Sequence, residues 1–239
     1  MVKFKSLTAI VPFYNEEAYI EESLSSLIST GLFSEIILVN NNSSDNSVKI
    51  VSKYLLDYSY IQLINATEKK GKGYAVLEGI KQTTSTHVIV HDADLEYSPL
   101  DIKEMLEIAK MHPNDLILGS RIIGNKIRKN VYFYTYFMNR LFSLLFSVIN
   151  LYKISDISSC YQINLTKNLL NMNLKENGFA MEVEILSKHI KTNNLVREVP
   201  ISYTGRSYKE GKKIKLVDAL RIISTMLKHS KLNIFFDRV

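Results

Sequence analysis

The sequence predicts an α/β domain built on a largely parallel β-sheet. Over about the first 96 residues, short β-branched and aliphatic runs alternate with segments that have apolar residues at helical spacing. Each short run ends in a polar stretch, as strands of βαβ units do. With 239 residues and 46% hydrophobic content, the chain can form one large domain with a sizeable core plus an appendage. We therefore expect right-handed βαβ crossovers.

The elements follow in order from this alternation. The predicted strands are residues 7–12, 35–39, 61–64 and 88–90. The three helices between them carry apolar faces formed by Ile20, Leu24, Leu27 and Ile28, by Val48, Val51 and Leu55, and by Tyr74, Ala75, Leu77 and Ile80. Gly31 is expected to end the first helix, and Asp45 to cap the second.

The strand exits are the candidate ligand-binding region, because ligands of such sheets lie beyond the carboxyl ends of the strands. The exits are residues 12–16, 40–45, 68–73 and 92–96. Taken singly, each is more typical of a structural cap or a solvated loop. Their common position at strand ends predicts that they form one crevice.

The exit of the fourth strand carries the clearest chemistry. The apolar run Val88–Val90 leads directly into Asp92, Asp94 and Glu96. Carboxylate oxygens at the end of a buried strand suit Mg²⁺ or Mn²⁺, and Mg²⁺ is usually held by one or two protein carboxylates plus phosphates. The structural alternative is an acidic turn between a strand and a helix.

Composition narrows the function classes. A net charge of +6 is compatible with phosphate-bearing ligands, an anionic membrane or nucleic acid. The basic residues are spread out and no zinc or RNA-binding signature is present, so we expect no nucleic-acid partner. Cys160 is the only cysteine, which excludes an intrachain disulfide and a multi-cysteine zinc site. We expect no signal peptide and no membrane span, since neither pattern occurs.

Several motifs together resemble the inverting family-two glycosyltransferases, and among them dolichol-phosphate mannose synthase and related polyprenyl-phosphate glycosyltransferases. They are Val11-Pro12-Phe13-Tyr14-Asn15-Glu16, Val39-Asn40-Asn41-Asn42-Ser43-Ser44-Asp45, the DXD-like Asp92-Ala93-Asp94, Gly119-Ser120-Arg121, Asn177-Gly178-Phe179-Ala180-Met181-Glu182 and Glu198-Val199-Pro200-Ile201-Ser202-Tyr203, followed by Arg206 and Lys212. The resemblance covers nearly the whole chain and implies the GT-A nucleotide-diphospho-sugar transferase fold, with amphipathic interface helices.

The resemblance also implies roles. The nucleoside would be held by Pro12, Tyr14, Glu16, Val39 and Asn41. Asp92 and Asp94, with the Ala93 backbone, would hold the diphosphate through Mg²⁺ or Mn²⁺, and Glu96 stands where some relatives supply another metal ligand. Arg121, Arg206 and Lys212 would contact phosphates of donor or acceptor, and with Asp94 they form the expected catalytic set.

One position departs from that family. Relatives usually carry Asp-Asp where this chain has Asn40-Asn41. A carboxylate can accept from two donors on a guanine edge, whereas an amide oxygen can still accept from uracil N3–H. This difference favours a UDP-sugar over a GDP-sugar as the donor.

The acceptor decides whether a general base is needed. A sugar hydroxyl needs one near pH 7, whereas a lipid phosphate is already anionic and needs only cationic neighbours. If a base is needed, Asp156 is the first candidate and Glu182 the second. The alternative for both is a structural carboxylate, in a cap, on a helix surface or in a buried pair.

Two segments suggest membrane contact. Residues 131–152 have a wide apolar face and a polar stripe at every fourth residue, from Thr135 to Ser147. They are predicted to lie in the bilayer interface on the acceptor side, or else to form a core or dimer helix. Residues 213–239 follow the catalytic domain of residues 1–212 and are predicted to be a basic amphipathic helix and tail. The alternative is a helix packed on the sheet.

The leading hypothesis is therefore an inverting hexosyltransferase. It would move a sugar from a nucleotide sugar to a polyprenyl phosphate, as a peripheral enzyme at the cytoplasmic face of a membrane. A separate membrane protein or a second copy of the chain is a further expected partner. The alternatives are transfer to a hydroxyl of a surface glycan or lipid-linked oligosaccharide, and a catalytically silent nucleotide-binding module.

Overall fold

The computed structural model describes residues 2–206 and 216–231. Its strands are β1 (Leu7–Phe13), β2 (Glu35–Asn40), β3 (Ile61–Asn65), β4 (His87–Val90), β5 (Leu116–Ser120), β6 (Arg128–Lys129), β7 (Gln162–Leu165), β8 (Val196–Pro200) and β9 (Tyr203–Thr204). Its helices are α1 (Ile20–Ser29), α2 (Ser47–Asp57), α3 (Lys72–Gln82), α4 (Ile102–Met111), α5 (Phe133–Asn150), α6 (Thr166–Asn171), α7 (Met181–His189) and α8 (Leu216–Lys228). A short 3₁₀ turn, Pro99–Asp101, precedes α4.

Seven strands form one sheet in the order β3-β2-β1-β4-β7-β5-β8, and β6 pairs with β9 in a small second sheet. All neighbours in the large sheet are parallel except at β7, which is antiparallel to both β4 and β5. Six strands therefore end at the same edge of the sheet, while β7 begins there. The α/β class and the mostly parallel sheet are confirmed.

Helices cover both faces of the sheet. Alternate residues of β1 point to opposite sides, so that Ile10 packs with α3, α7 and α8 in one apolar cluster. Ala9 and Val11 pack with α1, α2 and α4 in the other. A sheet buried on both faces explains why β1 and β2 are buried along their whole length.

The predicted strands and helices of the first 96 residues occur within a few residues of their expected positions. Gly31 follows α1 with φ +62°, as a helix-ending glycine does. Asp45 stands one position before the cap of α2, and its Oδ1 accepts from Ser47 N at 3.0 Å. The boundary expected between residues 212 and 213 lies outside the described residues.

Helix α5 is turned opposite to an ordinary surface helix. Its polar stripe faces the protein: Asn139 donates to a buried carboxylate, and Ser143 Oγ accepts from Ile157 N. Many of its apolar residues face outward, including Phe133 (83% exposed), Leu144 (63%) and Val148 (60%), whereas Phe146 and Ile149 pack in the core. Within residues 2–206 and 216–231, no helix is both long and apolar enough to cross a membrane.

Candidate active site

The predicted strand exits meet at one edge of the large sheet. The exits of β1, β2 and β4, with the N-terminus of α3, form one half of a crevice. The exits of β5 and β8 add Arg121 and the segment 201–206 from the other side. Because β7 runs in the opposite direction, residues just before it, including Asp156 and Cys160, also lie at this edge.

Asp92 is paired with a lysine. Lys72 Nζ lies 2.9 Å from Asp92 Oδ2 and 2.7 Å from Glu182 Oε1, and all three side chains are largely buried. Burial opposes the charged forms, yet the two carboxylates hold the pKa of Lys72 well above its ordinary value. Against the same penalty of burial, Lys72 holds the pKa of Asp92 below its ordinary value. Lys72 thus stabilises two buried carboxylates at once.

Asp94 is paired with Arg206, one of the predicted phosphate-binding cations. Arg206 Nη2 lies 2.8 Å from Asp94 Oδ2, and Nη1 lies 3.3 Å from Glu16 Oε2. Burial, followed by the charges of Asp92 and Glu96, raises the pKa of Asp94 to about 7, although Arg206 opposes that shift. Burial and two neighbouring carboxylates thus disfavour the charged form of Asp94 more than Arg206 favours it.

Glu96 is held by the segment that leads to Arg206. Tyr203 OH donates to Glu96 Oε2 at 2.9 Å, and Arg206 N donates to Oε1 at 2.9 Å. Asp92, Asp94 and Glu96 remain the predicted metal ligands. Asp92 pairs with Lys72, whereas Asp94 and Glu96 both contact Arg206. Among the described residues, no group of three or more His, Cys, Asp or Glu is arranged to hold a metal ion.

A divalent cation still fits the site when its other ligands come from a diphosphate. A hard cation would favour the charged form of Asp94, and carboxylate oxygens are ligands that Mg²⁺ and Mn²⁺ prefer. Asp94 would hold the ion, with Asp92 beside it. A coordination set completed by phosphate oxygens is the usual arrangement for Mg²⁺.

Arg121, at the exit of β5, is held by Asp156. Its N and Nε donate to Asp156 Oδ2 at 2.9 and 2.8 Å, and Nη2 donates to Oδ1 at 2.8 Å. Asn139 Nδ2 donates to the same Oδ1 at 2.8 Å. Asp156 is fully buried, and against the penalty of burial these partners hold its pKa below the ordinary value. Such saturation does not suit the proton-accepting role expected for Asp156.

The residues expected around the nucleoside lie on the β1 and β2 exits. Tyr14 OH accepts from Lys69 Nζ at 2.5 Å, and the ammonium stands over the Tyr14 ring. Asn41 is 7% exposed, and its Oδ1 has no hydrogen-bond partner within the described residues. Val39 and Pro12 are buried within their strands, so a ligand could meet them mainly through backbone atoms.

The preceding asparagine has a different role. Asn40 Nδ2 donates to Asn65 Oδ1 at 2.8 Å, and Asn40 Oδ1 accepts from Ser43 N at 2.8 Å. These bonds shape the loop after β2. Of the two amides that replace the usual Asp-Asp pair, only Asn41 has an unused buried acceptor.

Two glycines let a loop lie directly on the start of α3. A Cβ at Gly73 would stand 2.5 Å from Glu176 O, and one at Gly71 would stand 2.6 Å from Asn177 O. Thr225 of α8 donates to Glu176 Oε1 at 3.0 Å, so α8 supports that loop. The two glycines thus allow close backbone packing, and Lys72 lies between them.

Sequence reasoning missed Lys72 and Tyr203 as members of the site. Lys72 stood in a basic loop that could equally have been solvated, and a lysine flanked by two glycines at a strand exit was the only available signal. Cys160 is also part of this edge: it is 3% exposed, and burial followed by Asp92 holds its thiol pKa well above the ordinary value. Lys212 lies outside the described residues.

Comparison with known proteins identifies a family. The profile described as "Glycosyl transferase family 2" matches residues 8–169. A dolichol-phosphate mannosyltransferase of Pyrococcus furiosus is 31% identical over 212 residues, which are 86% of this chain and 58% of that protein. A poly-beta-1,6-N-acetyl-D-glucosamine synthase of Staphylococcus aureus is 32% identical over 126 residues, which are 52% of this chain and 30% of that protein. The chain thus spans less than two thirds of these relatives.

Solved structures share the fold at lower identity. Glucosyl-3-phosphoglycerate synthase from Mycobacterium tuberculosis, in complex with Mn²⁺ and UDP-glucose, superposes with a TM-score of 0.72 at 17% identity, covering 94% of this chain and 79% of that one. The mannosyltransferase PcManGT from Pyrobaculum calidifontis, in complex with GDP-Man and Mn²⁺, gives 0.64 at 16% identity, covering 86% and 58%.

Proposed function

The chain belongs to glycosyl transferase family 2, and from this premise we propose that it transfers a hexose-type sugar from a nucleotide sugar to a polyprenyl phosphate, with inversion at the sugar C1. An oxygen of the acceptor phosphate attacks C1 while the bond from C1 to the donor β-phosphate oxygen breaks. The nucleoside diphosphate leaves with the electron pair of that bond. No proton has to be removed from such an acceptor.

The observation that carries the proposal is the link, through Asp156, between Arg121 and helix α5 with its exposed apolar residues. Arg121 is held by Asp156, and Asp156 is contacted by Asn139 of α5. The Arg121 guanidinium is therefore connected, through Asp156 and Asn139, to the helix that carries exposed aromatic and aliphatic side chains. A phosphate with a hydrocarbon chain matches this pair of features, because Arg binds phosphate and α5 can enter a lipid interface.

Charge stabilisation of the leaving diphosphate is the chemistry that the donor half must supply. Mn²⁺ or Mg²⁺ would neutralise that charge when bound, with Asp94 and Asp92 as its protein ligands. Both solved structures described above contain Mn²⁺. Arg206 and Lys72 hold those carboxylates in place from two sides. Lys212 remains a predicted phosphate contact.

The donor is proposed to be a UDP-sugar. Asn41 Oδ1, which has no partner among residues 2–206 and 216–231, offers one buried acceptor that suits uracil N3–H. The comparison structures contain both UDP-glucose and GDP-Man, so the fold accommodates either base. Competition between UDP and GDP tests this choice, and tighter binding of GDP would end it.

A membrane-surface location is also proposed, at the cytoplasmic face, with a separate membrane protein or a second copy as a further partner. The exposed apolar residues of α5 support it. Leu144→Ser should reduce flotation with phospholipid vesicles. Leu56→Ser changes an 89% exposed leucine on α2 and should leave flotation unchanged. Equal flotation of both variants and the parent would remove α5 as the contact.

Transfer to a glycan hydroxyl is the second candidate. Glu182 Oε2 is buried and has no hydrogen-bond partner among the described residues, so this carboxylate retains an unused oxygen. The Staphylococcus aureus relative is named a poly-beta-1,6-N-acetyl-D-glucosamine synthase, and this name also supports a glycan acceptor. In that case Glu182→Gln should abolish transfer and preserve donor binding. A silent nucleotide-binding module would show neither transfer nor metal-dependent donor hydrolysis.

The main test is transfer of radiolabelled sugar into an organic-soluble product. A panel of nucleotide sugars is incubated with Mn²⁺ or Mg²⁺ and undecaprenyl or dolichyl phosphate, with Asp94→Ala as the blank. A metal-dependent product labile to mild acid supports the proposal and identifies the donor. Donor hydrolysis that depends on Asp94, without a lipid product, would turn the search toward glycan acceptors.

A further inference from the structure

We propose that Asp156 and Asn139 are positioning residues for Arg121, and that Asp156 does not act as the general base. The inference rests on the proposed function for the identity of the ligand, a phosphate group. Arg121 would contact that phosphate, while Asp156 and Asn139 would act only through Arg121. The α5 helix would thereby take part in setting the geometry of the site.

The hydrogen bonds of Asp156 leave it no free direction for a substrate proton. Arg121 supplies three donors, two from its side chain and one from its backbone, and Asn139 supplies a fourth. Two carboxylate oxygens offer about four acceptor positions. With 0% exposure and four donors at 2.8–2.9 Å, Asp156 is fully occupied. A general base must instead reach the proton that it removes.

The arginine is held on its remaining sides by aromatic rings. The guanidinium carbon of Arg121 lies 5.0 Å from the centre of the Tyr203 ring and 5.7 Å from that of Tyr97. The Nε–Nη2 edge of Arg121 faces Asp156, whereas Arg121 Nη1 makes no hydrogen bond to any of the described residues. A planar cation clamped along one edge and against two rings presents its remaining edge in a fixed direction, as bidentate phosphate binding requires.

Helix α5 is tied to Asp156 through two contacts one turn apart. Asn139 Nδ2 bonds the Asp156 carboxylate, and Ser143 Oγ accepts from the neighbouring Ile157 N at 3.2 Å. Asn139 Oδ1 is buried without a partner within the described residues, so its amide is oriented by the bond to Asp156 alone. A displacement of α5 would therefore change the hydrogen bonding of Asp156, which holds Arg121.

A double-mutant cycle distinguishes positioning from base catalysis. Arg121→Lys removes the planar guanidinium that Asp156 holds, and Asp156→Asn removes the negative charge of the carboxylate. If Asp156 acts only through Arg121, the double variant should transfer sugar to polyprenyl phosphate no more slowly than Arg121→Lys. We expect Asp156→Asn alone to lower kcat/KM about 100-fold, the scale of a misplaced binding group. The proposal would be overturned if the rate losses of the two single variants multiply in the double variant. It would also be overturned if Asp156→Asn removes the fall of kcat at low pH.

Asn139 keeps the proposal testable if Asp156→Asn fails to fold. Asn139→Ala removes one hydrogen bond and should raise the KM for polyprenyl phosphate about tenfold, with the KM for the donor unchanged. Asn139→Gln should recover part of the loss. Ser52→Ala, which removes a local bond on the distant helix α2, is the control. An Asn139→Ala enzyme identical to this control would contradict the assignment.

A spectroscopic readout separates this inference from the proposed function. The ¹⁵N–¹H signal of Arg121 Nε, assigned by its loss in Arg121→Lys, should shift in Asn139→Ala and move furthest in Asp156→Asn. The signal reports positioning without any acceptor. A shifted signal with no lipid product would retain the positioning role and reject the acceptor. An unshifted signal with normal lipid transfer would reject the positioning role alone.

Discussion

Lys72 Nζ donates to Asp92 Oδ2 at 2.9 Å, although Lys72 follows β3 at the start of α3 and Asp92 follows β4. The same ammonium reaches Glu182 at 2.7 Å, so three largely buried charges share one location. Removing one partner of a buried ion pair costs more than the pair contributes, because the remaining charge is left uncompensated. The stability of the site therefore depends on Lys72.

Lys72→Met should destabilise the fold and abolish sugar transfer. Methionine keeps an unbranched apolar side chain but leaves Asp92 and Glu182 without their cation. We expect a loss of about 3–5 kcal/mol in the free energy of unfolding, measured by chemical denaturation. Lys70→Met is the matched control, since Lys70 pairs with exposed Glu68 at the surface. Equal stability of the two variants would contradict a structural role for Lys72.

Gly73→Ala should disturb the loop that covers the start of α3. The added methyl group would stand 2.5 Å from Glu176 O and 2.8 Å from the Asn177 carbonyl carbon. Overpacking of this kind costs about 1–3 kcal/mol, and the movement should also weaken nucleotide binding. Gly178→Ala serves as the control, because its Cβ would meet only Arg221 Nη1 at 3.6 Å. Thermal unfolding and calorimetric UDP titration measure both effects.

Asn41→Leu should separate binding from stability. The change removes a buried acceptor that has no partner among the described residues, so the free protein should be no less stable. If Asn41 Oδ1 receives uracil N3–H, UDP affinity should fall roughly 5- to 100-fold, on the scale of one buried hydrogen bond. Asn40→Leu should have the opposite signature, with lower stability, because Asn40 bonds Asn65 and Ser43. Unchanged UDP affinity in Asn41→Leu would exclude the contact.

His87 and His189 should make the fold less stable as the pH falls below about 6.5, while the raised pKa of Asp94 acts in the opposite direction. Burial lowers the pKa of His87 and His189 in the folded chain, so the unfolded chain binds more protons in this range. Both side chains are neutral in the fold and donate through Nε2 to carbonyls, His87 to Pro113 O at 2.8 Å. Denaturation at pH 7.5 and 5.5 measures the loss. His87→Gln should reduce it, and an unchanged difference would show that His87 does not contribute.

The first half of the fold was predictable because its signals are local. The runs around Ile10, Ile37 and Val90 are continuous apolar stretches, as strands buried on both faces must be. β7 was not predicted, since a four-residue antiparallel strand inserted between parallel ones depends on long-range pairing. Because β7 was not predicted, the sequence could not show that Asp156, just before it, lies at the edge of the site.

The sequence predicted which residues belong to the site better than it predicted which residues contact one another. Asp94, Arg121 and Arg206 were expected and lie at the same edge, but the sequence could not show that Asp156 is occupied by Arg121. Nor could it show that Glu96 holds Tyr203. Pairing of buried charges depends on side-chain directions that residue spacing does not determine. The orientation of α5 was hidden for the same reason, because its pattern fits either outward face.

The buried thiol of Cys160, beside Asp92, can report local opening of the structure at this edge of the sheet. Cys160 is the only cysteine, and at 3% exposure with a raised thiol pKa it should react with thiol reagents only when the surrounding structure opens. Its modification rate, compared with that of a free thiol, then gives the free energy of that opening at a single location. A bound donor that tightens this edge would appear as slower labelling, without any added probe or engineered residue.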